Sequence, residues 1–315
     1  MADVNLKRGM AHLAAALALL ATVQQVSAQN ARTAEYQTSD GNRTAIIVDH
    51  GRNRPAPVVV VLHGALGTSD QIRRYMAWDE VAAREGLIVV YPQGVANSWN
   101  DGRPPDARRF NPASRVDDVG FIRRIVGELN AAGKVDRQRV FITGLSNGGH
   151  LTYRLICEAN DLFAAGAAII ANLSVMWTRS CGGRPIPVLV MSGTEDRISP
   201  WEGQARPGDA GGLTLSAPET FAFFRARNGC TGAGEKQLAR QGASDNTRVV
   251  LMDGTGCRHA TSLYRIEGGG HQAPARAGRT MRPLVGAMLG QQNHDIEAAE
   301  EIWAFFKERA RPASP

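Results

Sequence analysis

The chain has 315 residues, 43% hydrophobic, 21% charged and only 6% aromatic, a composition that excludes disorder and collagen-like repetition. Its 34 Gly and 15 Pro are scattered and follow no short period, so a solenoid or fibre is excluded as well. The net charge of +6 arises from isolated pairs such as Arg73-Arg74, Arg108-Arg109 and Arg123-Arg124 with no interleaved aromatics, and nucleic acid is not an expected partner.

At the N-terminus, Lys7 and Arg8 precede an apolar stretch from Met10 to Val23 that ends in Val26-Ser27-Ala28, the pattern of a secretory signal peptide. The apolar run is too short to span a bilayer comfortably, so cleavage after Ala28 is expected and no membrane anchor. Residues 1–28 are then a signal, and 29–315 form a single catalytic domain, secreted or periplasmic. Thr44 to Val48 reads as an early strand, and Pro57 to Leu62 is a continuous Val-rich run of the buried type. Helical spacing follows from about Ser69 to Arg84, then the apolar run Leu87 to Tyr91, then a helix from Val119 to Ala132 behind the capping candidates Asp117 and Asp118. Val140 to Thr143 is a strand and a helix starts near Asn147. The apolar run Phe163 to Ile170, the strand Val188 to Ser192 and a helix from Ala217 to Arg227 come next. Arg248 to Met252 and Ser262 to Glu267 are strands, and a closing helix lies near Asp295 to Arg309. This alternation predicts an α/β fold, a mostly parallel sheet with helices on both faces.

Four cysteines, Cys157, Cys181, Cys230 and Cys257, lie in the part expected to be exported, where two disulfides are favoured. Three pairings are possible, and the sequence neighbours Cys157 with Cys181 and Cys230 with Cys257 are preferred because each closes a short local loop. No CxxC or HxxH spacing supports a metal site, and none is expected.

The informative segment is Gly144-Leu145-Ser146-Asn147-Gly148-Gly149-His150, a GxSxG directly after a β-branched run and directly before a helix. That is the nucleophile-elbow context of the α/β-hydrolase fold: a sharp turn holds the serine in a strained conformation, and a Cβ at either glycine would strike neighbouring backbone. Ser146 would stand at a helix N-terminus, with the amide of Asn147 as one oxyanion donor. A serine needs a base and the base an orienting acid, in the chain order Ser, acid, His. The strand at Val188 to Ser192 runs into Gly193-Thr194-Glu195-Asp196, so Asp196 is the expected acid and Glu195 its rival. The last strand gives way to Gly268-Gly269-Gly270-His271, a flexible glycine run that lets His271 reach over the sheet as general base. His150 is on the elbow helix and is expected to be packed or exposed. The second oxyanion donor is expected in Leu62-His63-Gly64-Ala65, at the amide of Ala65, with Leu66 as the alternative. His63 reads as structural, its ring bonded to backbone, with direct substrate contact as the other reading. These groups make a serine hydrolase without any cofactor, acting on a small-molecule or oligomeric ester. A serine peptidase of the prolyl-oligopeptidase type and a non-catalytic binding protein on the same scaffold are the alternatives.

Val60-Val61-Leu62-His63-Gly64, Val90-Tyr91-Pro92-Gln93-Gly94, Ser98-Trp99-Asn100, Val116-Asp117-Asp118, the serine and aspartate segments, Glu267-Gly268-Gly269-Gly270-His271 and Ile302-Trp303-Ala304-Phe305-Phe306 run over nearly all of 29–315. In these words the chain resembles the secreted polyhydroxybutyrate depolymerase and feruloyl esterase relatives of carbohydrate esterase family 1. The resemblance implies a Ser146, His271, Asp196 triad and places Trp99 by the substrate; an anchor for a loop is the other reading of Trp99. Where the family often has tryptophan before proline after its histidine, this chain has Gln272-Ala273-Pro274, so Gln272 is the candidate substrate contact there. The stretches Trp201 to Ser216 and Gln272 to Asn293 read as movable edges of the site or as plain surface loops. With no serine-rich linker or polymer-binding domain, short or soluble esters are expected.

Overall fold

The computed structural model describes residues 30–52, 54–103, 115–204, 213–241, 245–276, 279 and 288–311. The expected signal peptide lies outside them, as do parts of the two expected site edges. The strands are β1 (Ala31–Thr38), β2 (Gly41–Asp49), β3 (Ala56–Leu62), β4 (Ile88–Pro92), β5 (Val135–Leu145), β6 (Ala165–Ile169), β7 (Val188–Gly193), β8 (Gly232–Gln237), β9 (Arg248–Thr255) and β10 (Thr261–Glu267). The helices are α1 (Ser69–Tyr75), α2 (Trp78–Glu85), α3 (Asp118–Ala131), α4 (Asn147–Glu158), α5 (Val175–Ser180), α6 (Ala217–Arg227) and α7 (Ala298–Phe306). All ten strands join one sheet in the order β1-β2-β4-β3-β5-β6-β7-β10-β9-β8. The six central strands, β4 to β10 in that order, run parallel, and an antiparallel pair closes each edge.

The Val-rich run of β3 explains why helices cover both faces. Val58, Val60 and Leu62 pack into one core with Ile142, Phe121 and Leu151. Val59 and Val61 pack into the other with Phe141, Trp78 and Trp303. A strand that buries both its faces has no polar alternation to show, which is why the sequence presents it as an unbroken apolar stretch. On the second face Phe141 stacks on Phe306 with centroids 4.8 Å apart, fastening α7 to the middle of the sheet.

Three sequence expectations are corrected. The single helix from Ser69 to Arg84 is two helices, because Ala77 takes a left-handed conformation (φ 52°) and restarts the chain at Trp78. Strands β1 and β8 did not show in the sequence: both are edge strands with mostly exposed side chains, so neither carries an apolar signal. Of the two capping candidates, Asp117 accepts the Gly120 amide at 2.8 Å, whereas Asp118 turns inward to a buried ion pair with Arg43 at 2.7 Å. Among the described residues no helix is long and apolar enough to cross a membrane.

The preferred disulfides form, Cys157–Cys181 from the last turn of α4 to the end of α5 and Cys230–Cys257 at the β8–β9 edge. Replacing Cys157 and Cys181 together by Ser is expected to lower stability by about 2–5 kcal/mol in urea unfolding. An unchanged midpoint would count against a stabilising role.

Candidate active site

The carboxyl ends of β3, β4, β5, β6, β7 and β10 point to one edge of the sheet, and the sequence-predicted site residues sit on the segments that leave them. Strand β5 runs straight into Ser146, whose φ of 56° and ψ of −118° are a strained backbone for a side chain-bearing residue, and α4 starts at the next position. The strain is held by contacts on both sides: the Ser146 amide donates to the Ile169 carbonyl and its carbonyl accepts from the His150 amide, both at 2.9 Å. The glycines around it are needed for close approach. A Cβ on Gly144 would lie 2.3 Å from the Gly148 carbonyl oxygen, and one on Gly148 would lie 2.5 Å from the carbonyl oxygen of His63. The strained turn and the tightly packed glycines expected of GxSxG are both present.

His271 reaches this serine from β10. Its Nε2 lies 2.8 Å from Ser146 Oγ and its Nδ1 lies 2.7 Å from Asp196 Oδ2. With the proton on Nδ1, the imidazole donates to the carboxylate and accepts from the hydroxyl. Asp196 is buried, and its other oxygen accepts the amides of Ile198 and Ser199, both at 2.8 Å. Glu195, the rival acid, is exposed, and it is Asp196 that pairs with His271. The run before His271 is not the flexible tether expected from sequence. A Cβ on Gly270 would lie 2.1 Å from the Leu289 carbonyl oxygen, a Cβ on Gly193 would lie 2.3 Å from the Gly269 carbonyl oxygen, and the His271 amide donates to Leu289. These glycines let three backbone segments press together, and the histidine is held in place by that packing.

His63 has the structural role. Its Nε2 accepts the Gly94 amide at 3.0 Å, so Nδ1 carries the proton and donates to the Gly64 carbonyl at 2.8 Å. Because a trans peptide sets its N–H opposite its C=O, holding the Gly64 carbonyl also aims the Ala65 N–H away from that ring. The Leu66 amide is taken by the Asn97 carbonyl at 2.8 Å, which removes the alternative donor. Trp99 is 0% exposed, its indole N–H donating to the His63 carbonyl at 2.8 Å, so in this structure it is a buried anchor. Gln272 likewise turns its side-chain amide to the Gly290 carbonyl at 2.5 Å, steadying the histidine loop. Asn147 is buried, and its side chain is bonded to Ser98, Trp99 and Asp101. The sequence reading did not single out Asp101 or Arg103, a buried ion pair at 2.7 Å; nothing in their spacing signals that they lie under the elbow.

Burial pushes the His63 imidazole down to about 4, with Arg43 adding to it, and pushes His150 down to about 3, with Arg103 adding to it. Both rings are therefore neutral near pH 7, and protons would favour the unfolded chain, where histidine titrates near 6.5. The folding free energy is expected to be complete above pH 6.5 and to fall as pH drops toward 4, by roughly 3 kcal/mol for His63 alone if unfolding restores its ordinary affinity. Urea titrations at pH 7 and pH 5 measure it; equal stabilities would contradict the burial argument. Gly148→Ala is expected to destabilise by about 1–3 kcal/mol or more through overpacking. Gly127→Ala, in α3 with nothing within 4 Å, should instead be neutral or gain up to about 1 kcal/mol in thermal melts.

A strand, a strained serine turn and a helix, with histidine and carboxylate delivered from later strands of a mainly parallel sheet, define the α/β-hydrolase class. No family model matches the chain. It is 30% identical over 265 residues to a protein of Nocardia uniformis subsp. tsuyamanensis named as the esterase NocK, covering 79% of this chain and 74% of that one. The chain belongs to this esterase family of α/β-hydrolases. It is also 26% identical over 235 residues to feruloyl esterase B of Piromyces equi, covering 70% of this chain but 40% of the relative's length. Among solved structures, an acetyl xylan esterase from Aspergillus awamori superposes with a TM-score of 0.54 at 15% identity, over 76% of this chain and 94% of that one. A thermostable esterase superposes with a TM-score of 0.56 at 17% identity, over 90% of this chain and 64% of that one. Both show the shared fold.

Proposed function

We propose that the protein is an exported serine esterase that hydrolyses carboxylic esters of soluble or oligomeric substrates through a covalent acyl-enzyme. The observation that carries this reading is the unbroken chain Ser146–His271–Asp196, with contacts of 2.8 and 2.7 Å. His271 takes the Ser146 proton as Oγ attacks the ester carbonyl, and the resulting imidazolium is stabilised by Asp196. The negative charge on the carbonyl oxygen is met by the N–H groups of Ala65 and Asn147, each worth about 2.7–4 kcal/mol of transition-state stabilisation in comparable sites. The imidazolium then protonates the departing alcohol, and water repeats the sequence on the acyl-enzyme.

For the acyl group we propose aromatic and hydroxyalkanoate esters, the range suggested by the resemblance and by relatives named as feruloyl esterases. At Gly64 a Cβ would lie 3.4 Å from the Ser146 Cβ, so the backbone next to the serine carries no side chain there. Export is supported by the Met10 to Val23 leader pattern and by two disulfides with no free cysteine among the described residues.

Ser146→Ala is expected to abolish hydrolysis of p-nitrophenyl acetate and butyrate while leaving the circular dichroism unchanged. Turnover that survives the substitution would refute the assignment. Cleavage of the matching p-nitroanilide at a comparable rate would point to a peptidase.

A further inference from the structure

The two backbone donors invoked above stand on different elements, Ala65 on the loop leaving β3 and Asn147 at the start of α4. Their strands are paired in register up to Leu62 and Gly144. Beyond that pair, no hydrogen bond among the described residues runs directly between 63–67 and 146–149. What joins them is the segment Ser98–Asp101. Its Trp99 indole N–H donates to the His63 carbonyl at 2.8 Å, while its Ser98 Oγ and Trp99 amide donate to Asn147 Oδ1 at 3.1 and 2.8 Å. In return Asn147 Nδ2 donates to the Trp99 carbonyl at 3.2 Å and to Asp101 Oδ2 at 2.7 Å. Every donor and acceptor position of the Asn147 side chain is thereby engaged. Ser98, Trp99 and Asp101 are each 0% exposed, so no water competes for these bonds. The segment is itself fixed from behind: the Asn100 amide donates to Asp118 at 2.6 Å and Arg154 donates to the Asn100 carbonyl at 2.8 Å. Arg103 pairs with Asp101 and outweighs the effect of burial, so that the carboxyl is held below its usual range and stays an acceptor.

We propose that Ser98–Asp101 is a cross-brace that sets the spacing and aim of the oxyanion hole, with Trp99 and the side chain of Asn147 as its two positioning residues. It touches the two halves at different points, the carbonyl of His63 just ahead of Gly64-Ala65 and the side chain of the residue whose amide is the other donor. An ordinary buried polar network would hold the fold together without regard to the reacting oxygen. A brace predicts a loss that is specific to the charge on that oxygen. The inference rests on the esterase reading and falls with it.

The test compares a p-nitrophenyl ester with its thionoester, in which a sulfur, a larger and weaker acceptor, takes the place of the carbonyl oxygen. Trp99→Phe removes the indole bond to His63 while keeping an aromatic ring in the buried site, and Asn147→Ala removes the other end. Each is expected to lower kcat on the oxoester by about 10- to 100-fold, below the loss of a whole donor, with KM within about twofold. The ratio of oxoester to thionoester kcat/KM should fall in step. Because either change releases the brace, the double variant should be no slower than the slower single one. Phe306→Leu, at the end of α7 where it stacks on Phe141, serves as a destabilised control whose ratio should match the parent. If Asn147→Ala does not fold, the ratio in Trp99→Phe decides alone. An unchanged ratio, or singles whose effects multiply in the double, overturns the brace. A parent protein that cleaves no ester, with Ser146→Ala identical to it, overturns the esterase reading first and the brace with it.

Discussion

The working half of the molecule depends on backbone approaching backbone, first of all at Gly148 and the end of β3, where a Cβ would sit 2.6 Å from the Leu62 carbonyl oxygen and 2.5 Å from that of His63. That contact draws the first turn of α4 onto the neighbouring strand and limits how far Ser146 can stand from the Gly64-Ala65 turn. Strand pairing aligns β3 with β5 as far as Leu62 and Gly144. Only a residue without a side chain lets the helix continue that alignment past the sheet edge, with the serine backbone forced into its strained turn as a result.

Rigidity is built in the same way on the histidine side of Ser146. The glycines before His271 place backbone against backbone, Gly193 with Gly269 and Gly270 with Leu289 and Gly290. Asp196 then needs no mobile partner, since its second oxygen is bound by two amides of its own turn. Ser146, His271 and Asp196 are therefore each held by main-chain contacts. In the proposed reaction, a site arranged this way would meet the developing charge without reorganising, which is where catalysis of acyl transfer gains most.

Polar groups buried under the site serve this rigidity. Arg43 pairs with Asp118 and lies 3.9 Å from the Phe121 ring centroid, and Asp118 in turn holds the Asn100 amide. The pair thus connects the main helix of one face, α3, to the loop carrying Trp99. The neutral imidazoles of His63 and His150 fill the space nearer the serine, where a charge would be costly.

Much of this was legible without coordinates. The apolar runs of β3, β4, β5, β7 and β10, the elbow, the order of serine, aspartate and histidine and the disulfide pairing follow from local pattern, because buried parallel strands and tight turns constrain composition at each position. The edge strands β1 and β8 and the break at Ala77 were not, since exposed strands carry no apolar signal and a left-handed alanine has no residue-type marker. Asp101, Arg103 and the inward turn of Trp99, Asn147 and Gln272 were decided only by tertiary structure. A polar side chain reads the same in sequence whether it faces a substrate or a buried backbone carbonyl, and what separates the two is the arrival of chain from tens of residues away.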